Sequence, residues 1–443
     1  MPAWNELIRQ CRDERGLTQE EFAREVARVA WERLHVQIGI DSAMVSKWER
    51  GSKAPSRRYQ RLLSLVLGTD APALMPTAGL GFDYAGPVSS ALDSVDQVGR
   101  ADMDRRDFLR GALFAVGLSV APSRDWLVST IEDATTPTGR VSAAQVDAIR
   151  RTFGLFQEMD VMRGGGHARH QLAGYVTSVV TPLLRDNDPS TKTGRALYEA
   201  GAEQLYLLGW MAYDDGQHPL AQRYLVQALR LAQEARSPEL GAHVLAGLSD
   251  QATLTGHPDH ALQLARAGRA GLRGTESRAC LADLWALQAR AEAALGYGTA
   301  VAHSVMASET CAANIDLDAE PDWARFIDPA YLNGEYGHAF RDLGRVGEST
   351  EFAQRSADAA AQQHRARRGS LAHATLARAA LADHDLEAAA HAATTTAQLA
   401  ATVRSSRSTQ AVDDLRQRIR EHDDSPAVSD FIAVADTLFP TSP

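Results

Sequence analysis

Cysteine, lysine and aromatic residues are all scarce in this chain, and each shortage excludes something. The three cysteines, Cys11, Cys280 and Cys311, stand far apart. That excludes both a disulfide framework and a cysteine-rich zinc module, and it fits a reducing, intracellular compartment. Lysine occurs only at Lys47, Lys53 and Lys192, so nearly all positive charge is carried by arginine. Aromatics make up 6% of the 443 residues, and Val and Ile are sparse beside Ala and Leu, a balance that points to helix and away from strand. No uninterrupted apolar stretch reaches the ~18 residues of a spanning helix. No basic-then-apolar secretory pattern opens the sequence. A cytoplasmic protein with no membrane partner is therefore expected. What the chain does have is length and apolar content, 44% hydrophobic, enough for several sizeable cores.

The formal net charge of −10 is unevenly spread. Residues 1–67 hold 12 Lys/Arg against 9 Asp/Glu, whereas the remaining 376 hold 34 against 47. A mildly basic head on an acidic body leaves only the head suited to a polyanion.

Within that head, Trp4, Leu7, Ile8 and Cys11 share one helical stripe that Gly16 ends. Thr18, with Glu21 three residues on, forms a capping box that opens a second helix. Asp41-Ser42 opens a third, which Gly51 closes with Pro55 beyond, and a fourth runs over about 57–67 with a Leu62/Leu63/Val66 face. Two blocks stand out: Arg12-x3-Gly16-Leu17-Thr18-Gln19-Glu20-Glu21-Phe22-Ala23, and Val45-Ser46-Lys47-Trp48-Glu49-Arg50-Gly51-x3-Pro55. Together, over about 60 residues, they resemble the helix-turn-helix of the lambda-type and Cro-type repressors, the XRE family. The resemblance implies a buried ion pair between Arg12 and Glu49, a core role for Trp48, and Gln19 at a phosphate. It further implies that the helix from Ser42 enters the major groove of double-stranded DNA, presenting Ser42, Ala43, Met44, Ser46 and Lys47. Arg50, Lys53, Arg57 and Arg58 would lie over phosphates. Thr18 and Trp48 are thirty positions apart, wider than the family's usual spacing. This reads as a lengthened second helix and a longer turn, and it leaves open which residue first touches a base.

Residues 68–102 are rich in Gly, Pro, Ser and Ala without sustained periodicity, and read as a flexible linker. Asp104-Arg105-Arg106-Asp107-Phe108-Leu109-Arg110 and the apolar run after it look, in isolation, like a twin-arginine export signal. Behind a DNA-binding head, the segment is better read as an amphipathic or buried helix packed on the C-terminal domain. Membrane contact, or a start at Met103, is the other reading. Residues 103–198 are then linking and N-capping helices.

Beyond them a period of forty appears. Leu205, Leu245 and Trp285 align, as do Gly209, Ser249 and Ala289; Gly216, Gly256 and Gly296; and Ala221, Ala261 and Val301. Small residues let two antiparallel helices approach, and the turn needs Gly for a left-handed backbone. The pattern resembles the tetratricopeptide repeat over 199–408, with weaker copies at Gly337-x2-Phe340-x3-Gly344 and around Leu371–Ala400, and a terminal cap over 409–443. By that resemblance a concave groove is lined by Glu203, Tyr206, Trp210 and Tyr213, then His243, Ala246 and Asp250. Asp283, Ala286 and Arg290 follow, then Tyr331, Gly334, His338 and Arg341. Of these Glu203, Tyr206, Trp210, Tyr213, His243, Asp250, Arg290, Tyr331, His338 and Arg341 are the candidate ligand-binding residues. Aromatics beside cations and carboxylates suit a peptide or a small amphipathic ligand.

Enzyme chemistry is not suggested. His167-x2-His170 and Glu335-x2-His338 each lack a second half for a metal site. Gly164-Gly165-Gly166 has neither the preceding strand nor the following Gly-Lys of a phosphate cradle. No catalytic residue, metal or cofactor is expected. The whole order resembles actinobacterial, Streptomyces-type regulators of development and secondary metabolism, and more loosely the peptide-sensing regulators of Firmicutes. The expectation is an all-α chain, a helix-turn-helix domain followed by a tetratricopeptide-like solenoid. Its expected function is that of a DNA-binding regulator, a homodimer that senses an effector in its groove. The alternative is a protein-interaction adaptor with a non-specific or vestigial DNA-binding head.

Overall fold

The computed structural model describes residues 8–9, 12–13, 17–34, 38–50, 52, 55, 59, 63, 66, 88–103, 141–272, 277–316, 318–420 and 425–440. Among them every regular element is a helix. The chain divides into two compact units, Met1–Asp83 and Tyr84–Pro443.

In the first unit, α1 (Gln19–Leu34) and α2 (Ser42–Glu49) are joined by residues 35–41. The capping box forms as its spacing requires. Glu21 accepts from the Thr18 amide at 2.8 Å, and the Glu21 amide donates to Thr18 Oγ1 at 3.2 Å. Asp41 caps α2 by accepting from the Met44 amide at 2.7 Å. Phe22, Ala23, Val26 and Ala30 follow helical spacing along α1 and close over Val45 and Trp48 of α2, with Ile8 and Leu63 completing the core.

The second unit opens with α3 (Val88–Met103), which corrects the reading of residues 68–102 as linker throughout. Ala91, Leu92, Val95 and Val98 make a buried stripe. Tyr224 also donates to Asp102 at 3.2 Å, so this helix packs on the body. Its Ser and Gly content hid an ordinary amphipathic period. The RRDFL segment lies outside the described residues. Next come α4 (Ala143–Arg163), α5 (Arg169–Tyr175), a π-helical turn at Val176–Val180 and α6 (Thr181–Asp186).

Five helix hairpins then follow in series. They are α7 (Lys192–Asp214) with α8 (His218–Glu234), α9 (Pro238–Leu254) with α10 (Pro258–Gly271), and α11 (Arg278–Ala294) with α12 (Gly298–Ala312). After these come α13 (Pro329–Asp342) with α14 (Val346–Gln362), and α15 (Ala366–Ala382) with α16 (Leu386–Ala400). The pair α17 (Ser406–Ile419) and α18 (Pro426–Leu438) shares a separate apolar core with α15 and α16. The aligned turn glycines have the left-handed backbone their position demands, with φ of 72° at Gly216, 82° at Gly256 and 77° at Gly296. The small residues sit where helices cross. A Cβ on Gly209 would stand 2.7 Å from Leu225 Cγ, and at the equivalent crossing of the next hairpin Ser249 instead donates to the Ala261 carbonyl at 2.8 Å.

The series curves far enough to meet its own beginning. The Gly166 amide donates to the Arg404 carbonyl at 3.1 Å, and the Arg404 amide to the Arg163 carbonyl at 2.7 Å. Cβ atoms at Gly164 and Gly165 would lie 2.5 Å from the Arg404 and Met211 carbonyl oxygens. The triple glycine is thus a close-packing turn that joins the end of α4 to both ends of the hairpin series.

Candidate functional site

Two places gather polar side chains on a rigid frame: the outer face of α2, and the interior of the second unit.

Glu49, at the last turn of α2, is 2% exposed. It accepts from Arg12 Nε at 2.5 Å and NH2 at 3.1 Å, and from Gln19 Nε2 at 2.7 Å, while Arg9 donates to its carbonyl at 3.3 Å. Burial pushes this carboxyl up, but the bonds from Arg12 and Gln19 outweigh it and hold the group below the usual range. The Arg12–Glu49 pair is therefore present, and Gln19 is engaged with it. Trp48 lies inside, its ring 5.2 Å from that of Tyr59. With this edge fixed, Ser42, Ala43, Lys47 and Arg50 are exposed, and Met44 and Ser46 are half-buried. Arg50 Nε donates back to the Ser46 carbonyl at 3.2 Å. Lys53, Arg57 and Arg58 lie outside the described residues.

The positions expected to line an open groove do face one another, but as an interior. Glu203, Tyr206, Tyr213, His243, Asp250, Arg290 and Tyr331 are buried, and Trp210, His338 and Arg341 half-buried. Because the series closes on itself, inner-face charges find each other rather than water. Arg290 pairs with Glu335, stands 3.3 Å from His338 Nδ1 and 3.9 Å from Asp250. Tyr331 donates to Asp283 at 2.8 Å, and Arg368 donates to Glu335 at 3.2 Å. Burial first, against the Tyr331 bond, carries the Asp283 carboxyl up to about 8. At the rim, Arg341 bonds Asp342 at 2.6 Å.

The centre of this network is Asp214, at the end of α7. It accepts from the Gly165 amide at 2.9 Å, Ser405 Oγ at 2.8 Å, Arg367 at 2.8 Å and Arg407 at 3.0 Å. Burial opposes its charge, but Arg367 and Arg407 hold its carboxyl well below the usual range. Arg367 also bonds Asp160 of α4 at 2.7 Å, and Arg407 lies over the rings of Trp210 and Tyr213. Asp160, Asp214, Arg367, Arg368 and Arg407 did not emerge from sequence reasoning. For the three arginines the available sequence signal is their place in the first turn of a helix, where the macrodipole disfavours a cation.

Two aromatic residues of the α12–α13 connection were also missed. Trp323 stacks on His243 with ring centroids 4.7 Å apart, and Phe326 stands 6.2 Å from Trp210 and 5.2 Å from Tyr331. A cavity of about 50 Å³ lies among Tyr206, Trp210, Phe326, Tyr331 and the arginines at the start of α15. A second, more open cleft of about 420 Å³ includes Glu199, Glu203, Asp322 and Arg150. Burial carries the Glu203 carboxyl up to about 7 against the pull of Arg150. A raised carboxyl favours the folded state while protonated. Stability should therefore fall as pH rises from about 4.5 to about 7. Glu203→Gln is expected to flatten that fall and to add ~1–2 kcal/mol at pH 8, read from urea unfolding across the pH range.

Residues 8–83 match the family model for the SP15 N-terminal domain, a span that ends where the first compact unit ends. No curated protein matches the chain. Among the described residues no helix is long and apolar enough to cross a membrane, and no group of three or more His, Cys, Asp or Glu side chains could hold a metal ion.

Proposed function

We propose that this protein is a DNA-binding transcriptional regulator of the XRE helix-turn-helix type, whose tetratricopeptide-like body responds to an effector. The observation that carries the reading is the outer face of α2. Glu49, bound by Arg12 and Gln19, anchors one end of the helix and Asp41 caps the other, leaving Ser42, Ala43 and Lys47 exposed on a rigid stem. A short capped helix with a small, polar, singly cationic face is suited to the major groove. The reading further takes the protein as a homodimer in the cytoplasm, controlling development or secondary metabolism. Palindromic half-sites lie about one helical turn (~34 Å) apart. An effector that alters the separation of two heads therefore alters affinity.

The test is a mobility-shift assay with promoter fragments and full-length protein. Retention of particular fragments is expected, and Lys47→Ala should weaken it by roughly tenfold or more if the ammonium reaches a base edge. Equal, salt-sensitive binding to every fragment, unchanged by Lys47→Ala, would overturn specific regulation.

A further inference from the structure

Among the hairpins, most connections take three residues, as at 215–217 or 343–345, whereas the α12–α13 connection runs over 313–328. Its two ends are pinned. Glu320 accepts from Ser277 Oγ at 2.8 Å and from the Ala279 amide at 3.0 Å, and Asp328 accepts from Arg365 at 2.8 Å. Between these pins the chain turns inward through a 3-10 turn at Asp322–Ala324 and leaves Trp323 only 5% exposed.

What Trp323 meets there is incompletely satisfied. His243 is fully buried, with Tyr206 at 4.1 Å, Trp323 at 4.7 Å and Phe326 at 5.8 Å between ring centroids. Neither Nδ1 nor Nε2 of His243 has a hydrogen-bond partner. Burial holds the ring neutral, its pKa carried down to about 3. A neutral imidazole has one donor and one acceptor, and both are desolvated here without compensation. The indole contributes stacking but no hydrogen bond to the imidazole, and a small cavity lies beside Tyr206 and Phe326.

We infer that Trp323 is an internal stand-in for the effector: the slot made by Tyr206 and His243 takes a planar aromatic ring bearing a hydrogen-bonding group, and the turn at 321–326, with Phe326 on it, vacates that slot when the ring arrives. Such a ligand packs on the Tyr206 ring and presents its polar group in the plane of the imidazole, a hydrogen bond that the stacked indole does not make, and that bond is the margin by which it displaces the turn. The two pins keep the departing segment short, so displacement alters the inner face next to Trp210 and Tyr331 without unravelling a helix. The chemistry is common to a free phenol and to a tyrosine side chain of a peptide. This inference deepens the sensing role proposed above, but its test contains no DNA, so failure of operator binding and failure of the slot are separate results.

The probes are 4-methylphenol, N-acetyltyrosinamide and toluene, the last lacking the polar group. In full-length Trp323→Ala, 4-methylphenol at millimolar concentration is expected to raise the melting temperature by about 2 °C, well above any effect of toluene. The gain should vanish in Trp323→Ala/His243→Phe. A larger gain from N-acetyltyrosinamide assigns the slot to a peptide, and a smaller one to a free ring. Displacement itself is read in wild-type protein labelled with 5-fluorotryptophan, where the Trp323 resonance is assigned by its loss in Trp323→Phe. 4-Methylphenol should move that resonance towards the solvent-exposed position. This measurement decides the matter alone if Trp323→Ala does not fold. A Trp323 resonance unmoved at saturating probe overturns the inference, as does equal stabilisation with and without His243.

Discussion

Asp214→Ala is expected to lower the stability of the second unit by ~3–5 kcal/mol, the loss that follows when one partner of a buried ion pair is removed and the other stays behind. The magnitude comes from what would be stranded. Arg407 loses the carboxylate it bonds at 3.0 Å, Ser405 loses its acceptor, and the Gly165 amide is left buried without one. Arg367 retains Asp160, so the loss falls chiefly on the contact between α7 and α17. Sequence distance makes this contact strategic. It ties residue 214 to 405 and 407, and so closes the hairpin series alongside the main-chain bonds of Arg404 to Arg163 and Gly166. Urea unfolding followed by near-ultraviolet circular dichroism measures the effect, since Trp210 and Tyr213 lie beneath Arg407. The pH dependence supplies a control of sign. The folded-state pKa of Asp214 is depressed, so its contribution is fully present above the unfolded value of about 3.9 and is lost progressively below it. The gap between wild type and Asp214→Ala should therefore narrow as the pH falls below about 4.

That closure also explains which parts of the molecule were legible beforehand. Gly216, Gly256 and Gly296 announced their turns because a left-handed backbone is a local demand, satisfied or violated within four residues. The facing positions along α7, α9, α11 and α13 came from the resemblance to the tetratricopeptide repeat, and helical spacing is consistent with their sharing a face. Whether that face opens to solvent is a different kind of quantity. It depends on a small rotation per hairpin summed over the series, and no single window of sequence contains the sum. The buried arginines Arg367 and Arg407 escaped notice because their partners lie 153 and 193 positions away. Trp323 escaped because it sits in a connection, where apolar periodicity does not operate. Two aromatics and Ile327 within a stretch otherwise rich in Asp and Ala were the available signal that the connection turns inward. In the first unit, the Arg12–Glu49 pair came from the family resemblance, and only its partner Gln19 needed coordinates to be placed.

Glu49→Ala is expected to abolish retention of specific DNA fragments while leaving the second unit's unfolding unchanged. Glu49 is the acceptor at which Arg12 and Gln19 converge, and Arg9 bonds its main chain. Removing the carboxylate leaves the Gln19 amide without this acceptor and Arg12 with Asp13 at 2.7 Å and the Leu17 carbonyl at 2.8 Å, a loss of ~1–3 kcal/mol. A unit of this size has little to spare, since total stabilities begin at ~5 kcal/mol and small domains bury the smallest fraction of their surface. The expected state is therefore one in which α2 is no longer held, and hydrogen exchange over residues 42–49 should accelerate towards the unfolded rate. Lys47→Ala provides the contrast. Lys47 is exposed, so its loss should weaken DNA retention with exchange over 42–49 unchanged. Glu49→Gln keeps the shape and one acceptor for Gln19 but removes the charge facing Arg12, and should fall between the two. If Glu49→Ala retained specific fragments as wild type does while exchange over 42–49 accelerated, the outer face of α2 would not be the surface that meets DNA.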